Sequence, residues 1–274
     1  MRLLFSVAGL LAIGIIAACG SSNSPTSSLS GKVADGYLVG ATVFLDMNGN
    51  YQLDPGEPFA TTDQNGGYSL MVARTDVGKY PIVALATKGE TIDLDTGTAV
   101  QSSYVLSMPA FATSGMVNSN FISPMSSQLR ELMETGTYDS MQQAMSELRV
   151  KLGMPVGTDL MADYMAANNT AMHTAARNMA SLMGSQMSQV LGTTGPKTTV
   201  DVNRYRGMMG AIFSDISSVK GPNAQPGMSS LMNTMMTNLP GIAPDRPFRN
   251  MSAAFRGRMM SQSGTSVMGG GMMR

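Results

Sequence analysis

Residues 35–70, DGYLVGATVFLDMNGNYQLDPGEPFATTDQNGGYSL, carry the pattern that decides how this chain is expected to fold. Apolar and polar residues alternate up to Leu45, and a period of two is typical of a β-strand. A loop of polar residues and glycines runs from Asp46 to Glu57. A second apolar run starts at Tyr68, after further turn residues. The stretch therefore predicts a strand, a long polar loop and another strand.

The loop places oxygen-bearing residues at the spacing of a twelve-residue calcium loop. Calcium is a hard cation that takes six to eight oxygen ligands, and alternate residues of a tight loop can all point inward. Tyr51 stands where an EF-hand has glycine, and no amphipathic helices flank the loop. We therefore expect a calcium loop between strands, with a metal-free Asn/Gly/Asp hairpin loop as the alternative. The candidate ligands are Asp46, Asn48, Asn50, Gln52 through its backbone carbonyl, Asp54 and Glu57.

The same stretch resembles the calcium-binding B-type repeats of bacterial surface proteins and the carboxypeptidase regulatory-like domains. Those families share a D-x-N-x-N-x-x-x-D-x-G-E-P loop followed by T-T-D-x-x-G-x-Y, matched here by the loop and by Thr61, Thr62, Asp63 and Tyr68. The resemblance is good over residues 32–75 and looser to 108. It implies a β-sandwich of the transthyretin (prealbumin) type in which calcium rigidifies the loop.

Further strands are expected at 68–73, 80–87 and 103–108, after which helix signals replace strand signals. Stripes of apolar residues, with capping residues before them and glycines after them, indicate a small helical bundle. The expected fold is α+β and multidomain: a small N-terminal β-sandwich at 32–108, an all-α helical bundle at 109–260 and a flexible tail at 261–274. The expected helices run from Ser123-Pro124 to Gly136, from Thr137 or Asp139 to Gly153, and over 159–191, 200–219, 227–238 and 247–260.

The first nineteen residues have the pattern of an export signal. A positive Met1-Arg2 end precedes an apolar run that is too short for an ordinary membrane span. The run ends in Ile16-Ala17-Ala18-Cys19, which resembles the bacterial lipobox. The resemblance implies that residues 1–18 are removed and that Cys19 is lipidated. The small polar residues that follow predict a flexible tether over residues 19–31. We expect a lipid-anchored envelope protein, at the outer membrane or cell surface because Gly20 is not an aspartate.

Methionine is unusually frequent in this chain. It accounts for 28 of 274 residues, and 25 of those lie at or after residue 108. One interpretation is that methionine replaces leucine in a helical core, because both residues favour helix. The other is that thioethers in polar, glycine-rich surroundings bind Cu(I) or Ag(I), with His173 as a further ligand. The candidate soft-metal residues are Met208, Met209, Met232, Met235, Met236, Met259, Met260, Met268, Met272 and Met273.

Composition excludes several kinds of site. One cysteine and one histidine cannot build a zinc finger, a haem-attachment motif or a disulfide framework. No P-loop, dinucleotide fingerprint or nucleophile elbow is present. The first expectation is a non-enzymatic envelope protein that binds a protein partner and no nucleic acid. The alternatives are a Cu(I)/Ag(I)-binding protein and, third, a hydrolase that uses carboxylates.

Overall fold

The computed structural model describes residues 25–110, 120–194 and 197–243. Strands dominate the first part and helices the second, so the fold is α+β. The strands are β1 Thr26–Val33, β2 Leu38–Val39, β3 Thr42–Leu45, β4 Phe59–Thr61, β5 Gly67–Ala73, β6 Ile82–Ala86, β7 Ile92–Asp93, β8 Thr98–Ala99, β9 Tyr104–Met108, β10 Asn120–Ile122, β11 Leu191–Thr194 and β12 Lys197–Val200. The helices are α1 Pro124–Glu134, α2 Met141–Leu152, α3 Thr170–Val190, α4 Val202–Ser214 and α5 Gln225–Asn238.

The strands of the first part form small sheets, one of which takes a strand from the later chain. An antiparallel four-stranded sheet has the order β4-β3-β6-β9, and a three-stranded sheet has the order β10-β1-β5. In the second sheet β1 pairs antiparallel with β5 and parallel with β10, which follows it by about ninety residues. The strands β2, β7 and β8 form a third sheet, and β11 and β12 form a hairpin.

The buried apolar side chains form one cluster that includes both strands and helices. Helices α1 and α3 pack on strand β9, so the expected boundary at residue 108 does not divide the core. Two buried tyrosines cross that boundary: Tyr164 donates to the Ala34 carbonyl at 2.9 Å, and Tyr205 donates to the Val105 carbonyl at 3.1 Å. The strand region and the helical region therefore share an interior.

The expected tether at 19–31 is too long, because β1 begins at Thr26. Small polar residues suggested a tether, but they also form strands, because a strand needs only backbone hydrogen-bond partners and side chains that alternate between its two faces. Strand β5 supplies the backbone partners, and Leu29 lies fully buried opposite Leu70. Residues 19–24 lie outside the described part of the chain.

The helix expected over 159–191 begins eleven residues later, at Thr170. Asn168 has a φ of 50°, a left-handed conformation that interrupts a helix, and the Asn169 side chain then caps α3 by accepting from the Met172 N–H. The apolar period continued through the break because Met161 and Met165 also pack against the core. The hairpin β11–β12 was not expected, and the helix expected at 247–260 lies outside the described residues.

Candidate metal centre

The loop from Asp46 to Glu57 joins β3 to β4 and is folded by its own polar side chains. The Asp46 Oδ1 accepts the Asn50 N–H at 3.0 Å, and the Asn48 Oδ1 accepts the same N–H at 3.1 Å. The Asn50 Oδ1 accepts the Gln52 N–H at 2.9 Å. These contacts are Asx turns, in which a side chain bonds the backbone a few residues ahead. They hold alternate residues of the loop in a compact turn.

Three of the expected ligand positions converge on one point. The Asp54 Oδ2 accepts from the Asn48 amide at 2.8 Å and from the Asn50 amide at 2.7 Å. Tyr51 has a φ of 62°, the left-handed conformation that glycine supplies at the same position of an EF-hand. Tyr51 thus departs from the pattern in residue type but not in backbone conformation. The sequence alone could not show this.

Glu57 closes the loop from its far end. Its Oε1 accepts the Met47 N–H at 2.7 Å, and its Oε2 accepts the Asp54 N–H at 3.0 Å. Burial raises the pKa of the Glu57 carboxyl, and the two backbone hydrogen bonds oppose that shift. Both of its oxygens keep a lone pair after these bonds are made.

Beneath the loop lies a buried ion pair that the sequence did not indicate. The Arg130 guanidinium of α1 donates to the Asp46 Oδ2 at 3.0 Å, and neither side chain is exposed to solvent. The same guanidinium lies 3.9 Å above the Tyr51 ring and donates through Nε to Glu134 at 2.7 Å. The first ligand position of the loop is therefore tied directly to helix α1.

The ion pair continues into a network that reaches helix α4. The Tyr51 hydroxyl donates to Glu131, which is fully buried. Arg206 of α4 donates to the Glu134 Oε2 at 2.5 Å, and its Nε lies 3.7 Å from the Glu131 Oε2. Burial raises the pKa of Glu131 to about 7, and the neighbouring Glu134 adds to the shift. A single network of charged side chains thus connects the loop, α1 and α4.

The loop fits a hard cation in its donors and in its turn conformation. Every candidate ligand offers oxygen, but Asn48 and Asn50 meet Asp54 through their amide nitrogens, so both amides would have to turn over to present their Oδ1 atoms to a cation. Arg130 supplies a competing positive charge at Asp46. Within the described residues, no group of three or more Asp, Glu, His or Cys side chains is close enough to hold a metal ion, so amides and backbone carbonyls would have to complete the set.

Most of the candidate soft-metal methionines that fall within the described ranges lie in the interior. Met208, Met209 and Met235 are fully buried, and Met232 packs against the core. Met236 is 54% exposed. Polar neighbours in the sequence had suggested that a packed core explains these residues least, and that expectation is wrong for the buried three. The candidates Met259, Met260, Met268, Met272 and Met273 lie outside the described residues, as does Cys19.

His173 does not join a methionine site in this structure. Its Nε2 lies 2.5 Å from the Asp95 Oδ2, and Arg177 lies 3.4 Å from the same oxygen. The pair ties α3 to the turn between β7 and β8.

No helix in the described ranges combines the length and the hydropathy that a bilayer crossing needs. Comparison of the chain with family models, with curated proteins and with solved structures gives no significant match.

Proposed function

We propose that this chain is a calcium-stabilised, lipid-anchored protein of the bacterial cell envelope with a non-enzymatic, structural or partner-binding role. The observation that carries the proposal is the loop at 46–57. Its side chains at the third, fifth and ninth positions converge, and its sixth position adopts the left-handed backbone of a calcium loop.

Calcium would act on the loop through charge. Asp46, Asp54 and Glu57 supply three carboxylates within twelve residues, and Arg130 neutralises only the first of them. A divalent cation held by Asp54, Glu57 and the two asparagine oxygens would remove the remaining repulsion. Because the loop borders the Asp46–Arg130 pair, this stabilisation would extend to helix α1. A resemblance to B-type repeats supports the same role for the metal.

The anchor is proposed from the lipobox-like residues and from the position of the first strand. Seven residue steps separate Cys19 from Thr26, which span at most about 25 Å when fully extended. Lipidation of Cys19 would therefore hold the folded body close to the bilayer surface. A body held in this way suits a protein that supports or docks other envelope components.

Isothermal titration calorimetry of a soluble form that starts at Gly20 tests the calcium site. We expect saturable calcium binding and a melting temperature that falls when EDTA is added. The variant Asp54→Asn should bind calcium at least about tenfold more weakly, because it loses a charged ligand at the point of convergence. Asp63→Asn is the matched control, since Asp63 forms an Asx turn outside the loop. The calcium site is excluded if the soluble form binds none, or if EDTA leaves its melting temperature unchanged.

The anchor has a separate test in a bacterial host. The full chain should incorporate labelled fatty acid and sediment with membranes, and Cys19→Ser should abolish both. The control is Ser21→Ala, which alters a small residue two positions after Cys19 and should behave as the wild type. Equal labelling of the wild type and Cys19→Ser would contradict the anchor without affecting the calcium site.

A further inference from the structure

A cavity of about 380 Å³ lies between helix α3 and the segment that links β7 to β9. One wall consists of small residues of α3, among them Ala180, Ser181 and Gly184. The opposite wall comes from residues 96–104. Apart from Arg177, α3 places only small side chains on this face, which leaves the space open. It is separate from the calcium loop and does not depend on the proposed function.

A buried carboxylate borders this cavity. Asp35 is only 8% exposed, and its Oδ2 accepts from the Tyr104 hydroxyl at 2.8 Å. Its Oδ1 is buried and has no hydrogen-bond partner. Leaving a buried carboxylate oxygen without a donor is costly, so native proteins nearly always supply one. Asp35 is among the residues that line the cavity, so a ligand there lies beside this carboxylate.

The charges around the cavity favour a cation. Asp35 and Asp93 both line it, and Arg177 is the one basic side chain among the described residues that line it. Arg177 is half exposed and pairs with Asp95, which also binds His173. The nearest positive groups are thus directed to Asp95 and not to Asp35. Burial raises the pKa of Asp35 to about 7, opposed by the Tyr104 hydrogen bond and reinforced by Asp93.

We propose that this cavity binds a small alkylammonium compound, with an ammonium N–H donating to Asp35. An ammonium supplies both the missing donor and the missing positive charge, and charge-assisted hydrogen bonds are stronger than neutral ones. The methylene chain of such a ligand would lie along Ala99 and Val100, the partly exposed apolar residues of the lining.

Calorimetry on the soluble chain tests the proposal with methylammonium, putrescine and spermidine as probes. At least one of them should bind, whereas butanediol, the neutral analogue of putrescine, should bind at least about tenfold more weakly. Tetramethylammonium, which has no N–H donor, should also bind weakly. The proposal is overturned if none of the three amines binds, or if butanediol or tetramethylammonium binds as tightly as the best amine.

Two variants locate the site. Asp35→Asn removes the charge and keeps the shape, and amine affinity should fall at least about tenfold. Ser181→Trp narrows the cavity at a solvent-exposed position and should weaken binding without disturbing the core. Asp139→Asn removes an exposed charge elsewhere and should leave the affinity unchanged. If circular dichroism shows that Asp35→Asn is unfolded, Ser181→Trp becomes the deciding variant. An amine affinity of Ser181→Trp equal to that of the wild type then overturns the proposal.

The pH dependence gives an independent readout. Five other titratable side chains lie around Asp35: Asp93 and Asp95 from β7 and the turn after it, Tyr104 from β9, Tyr164 before α3, and Arg177 on α3. A cation prefers the ionised carboxylate, so affinity should rise up to about tenfold between about pH 6 and about pH 8. Asp35→Asn should flatten this rise, and a rise of the same size in the variant would contradict the role of Asp35.

Discussion

Asp46 does two things at once: it begins the loop and pairs with the buried Arg130. A buried ion pair is costly to assemble, because both charges lose their water. Here the cost is offset by several contacts, since Asp46 also accepts two backbone N–H groups and Arg130 also binds Glu134. Removing Arg130 would leave the Asp46 carboxylate without this cation in the interior, whereas removing Asp46 would leave Arg130 paired with Glu134.

Substitution of Asp46 by asparagine should destabilise the protein by about 1.5–3 kcal/mol, because the charged hydrogen bond to Arg130 is lost while Glu134 still pairs with the guanidinium. The measurement is urea unfolding of the soluble chain in EDTA, which removes any contribution from calcium. Arg130→Met should also destabilise, but the double variant should lose about 1–3 kcal/mol less than the sum of the two single variants, because the contact between Asp46 and Arg130 can be lost only once.

Asp139→Asn serves as the control for the loss of one negative charge, because Asp139 is exposed. It should change stability by less than about 0.5 kcal/mol. Strict additivity of Asp46→Asn and Arg130→Met would show that the contact between them contributes nothing specific.

Only part of the candidate site could be predicted from the sequence. The spacing from Asp46 to Glu57 predicted the loop, because its ligands are close in the chain. Arg130, Glu131 and Arg206 gave no signal, since they lie about 75–160 residues away and reach the loop only through the packing of α1 and α4. When no partner is known, charged residues of a predicted helix are assigned to its solvent-exposed face. Asp35 gave no signal either, because it lies in the turn after β1 and its partner Tyr104 lies on β9, about seventy residues later.

At the scale of elements, the N-terminus of α1 is the best-defined junction between strand and helix. The hydroxyl groups of Ser123 and Ser126 each accept the other residue's backbone N–H, a reciprocal capping box. The Ser126 hydroxyl also donates to the Ser107 carbonyl at 2.6 Å, and the Ser127 hydroxyl accepts the Ser107 N–H at 2.8 Å. All four serines are fully buried. The cap of the helix is thus also its attachment to β9.

Loss of the Ser126 hydroxyl should cost more than loss of an ordinary cap. Ser126→Ala removes a cap and a buried bond to the sheet, so we expect a loss of about 2–3 kcal/mol in the free energy of unfolding. Ser140→Ala is the matched variant, because Ser140 caps α2 at a partly exposed position and contacts no strand. It should cost about 1 kcal/mol. Equal losses in chemical unfolding would mean that the contact with β9 adds nothing.

Elements with strong local signals were predicted well, and those that depend on distant packing were not. Helix α2 ends where Gly153 predicts, at a φ of 68°, and α1 begins after Ser123 as the Ser-Pro pair predicts. Strand β1 was missed because its polar residues are ordered by β5, which comes about forty residues later. The start of α3 was misplaced because an apolar period persists through turns that also contact the core.

At the scale of the molecule, the sequence places strands before helices and so suggests two domains. The contacts between strands and helices instead describe a single unit. Strand β1 lies between β5 from the strand region and β10 from beyond residue 108. Strand β9 is covered by α1 and α3, and Tyr205 of α4 reaches its backbone. Residues that were assigned to the helical domain therefore supply a strand to the first of these sheets and the cover of the second. A stable unit limited to residues 32–108 would expose surfaces that are buried here.

The soluble chain should consequently unfold in one cooperative transition, with the same midpoint by near-UV and far-UV circular dichroism. A fragment of residues 20–108 should fail to fold, because it lacks β10, the cover on β9 and the partner of Asp46. A longer fragment of residues 20–136 restores β10, α1 and Arg130, and it should recover part of the strand signal without full stability, since α3 and α4 are still missing. Calcium should raise the stability of the longer fragment only, because Arg130 and the rest of α1 buttress the loop there. A dispersed amide NMR spectrum and a cooperative melt from the 20–108 fragment would contradict a shared core and would restore the division at residue 108.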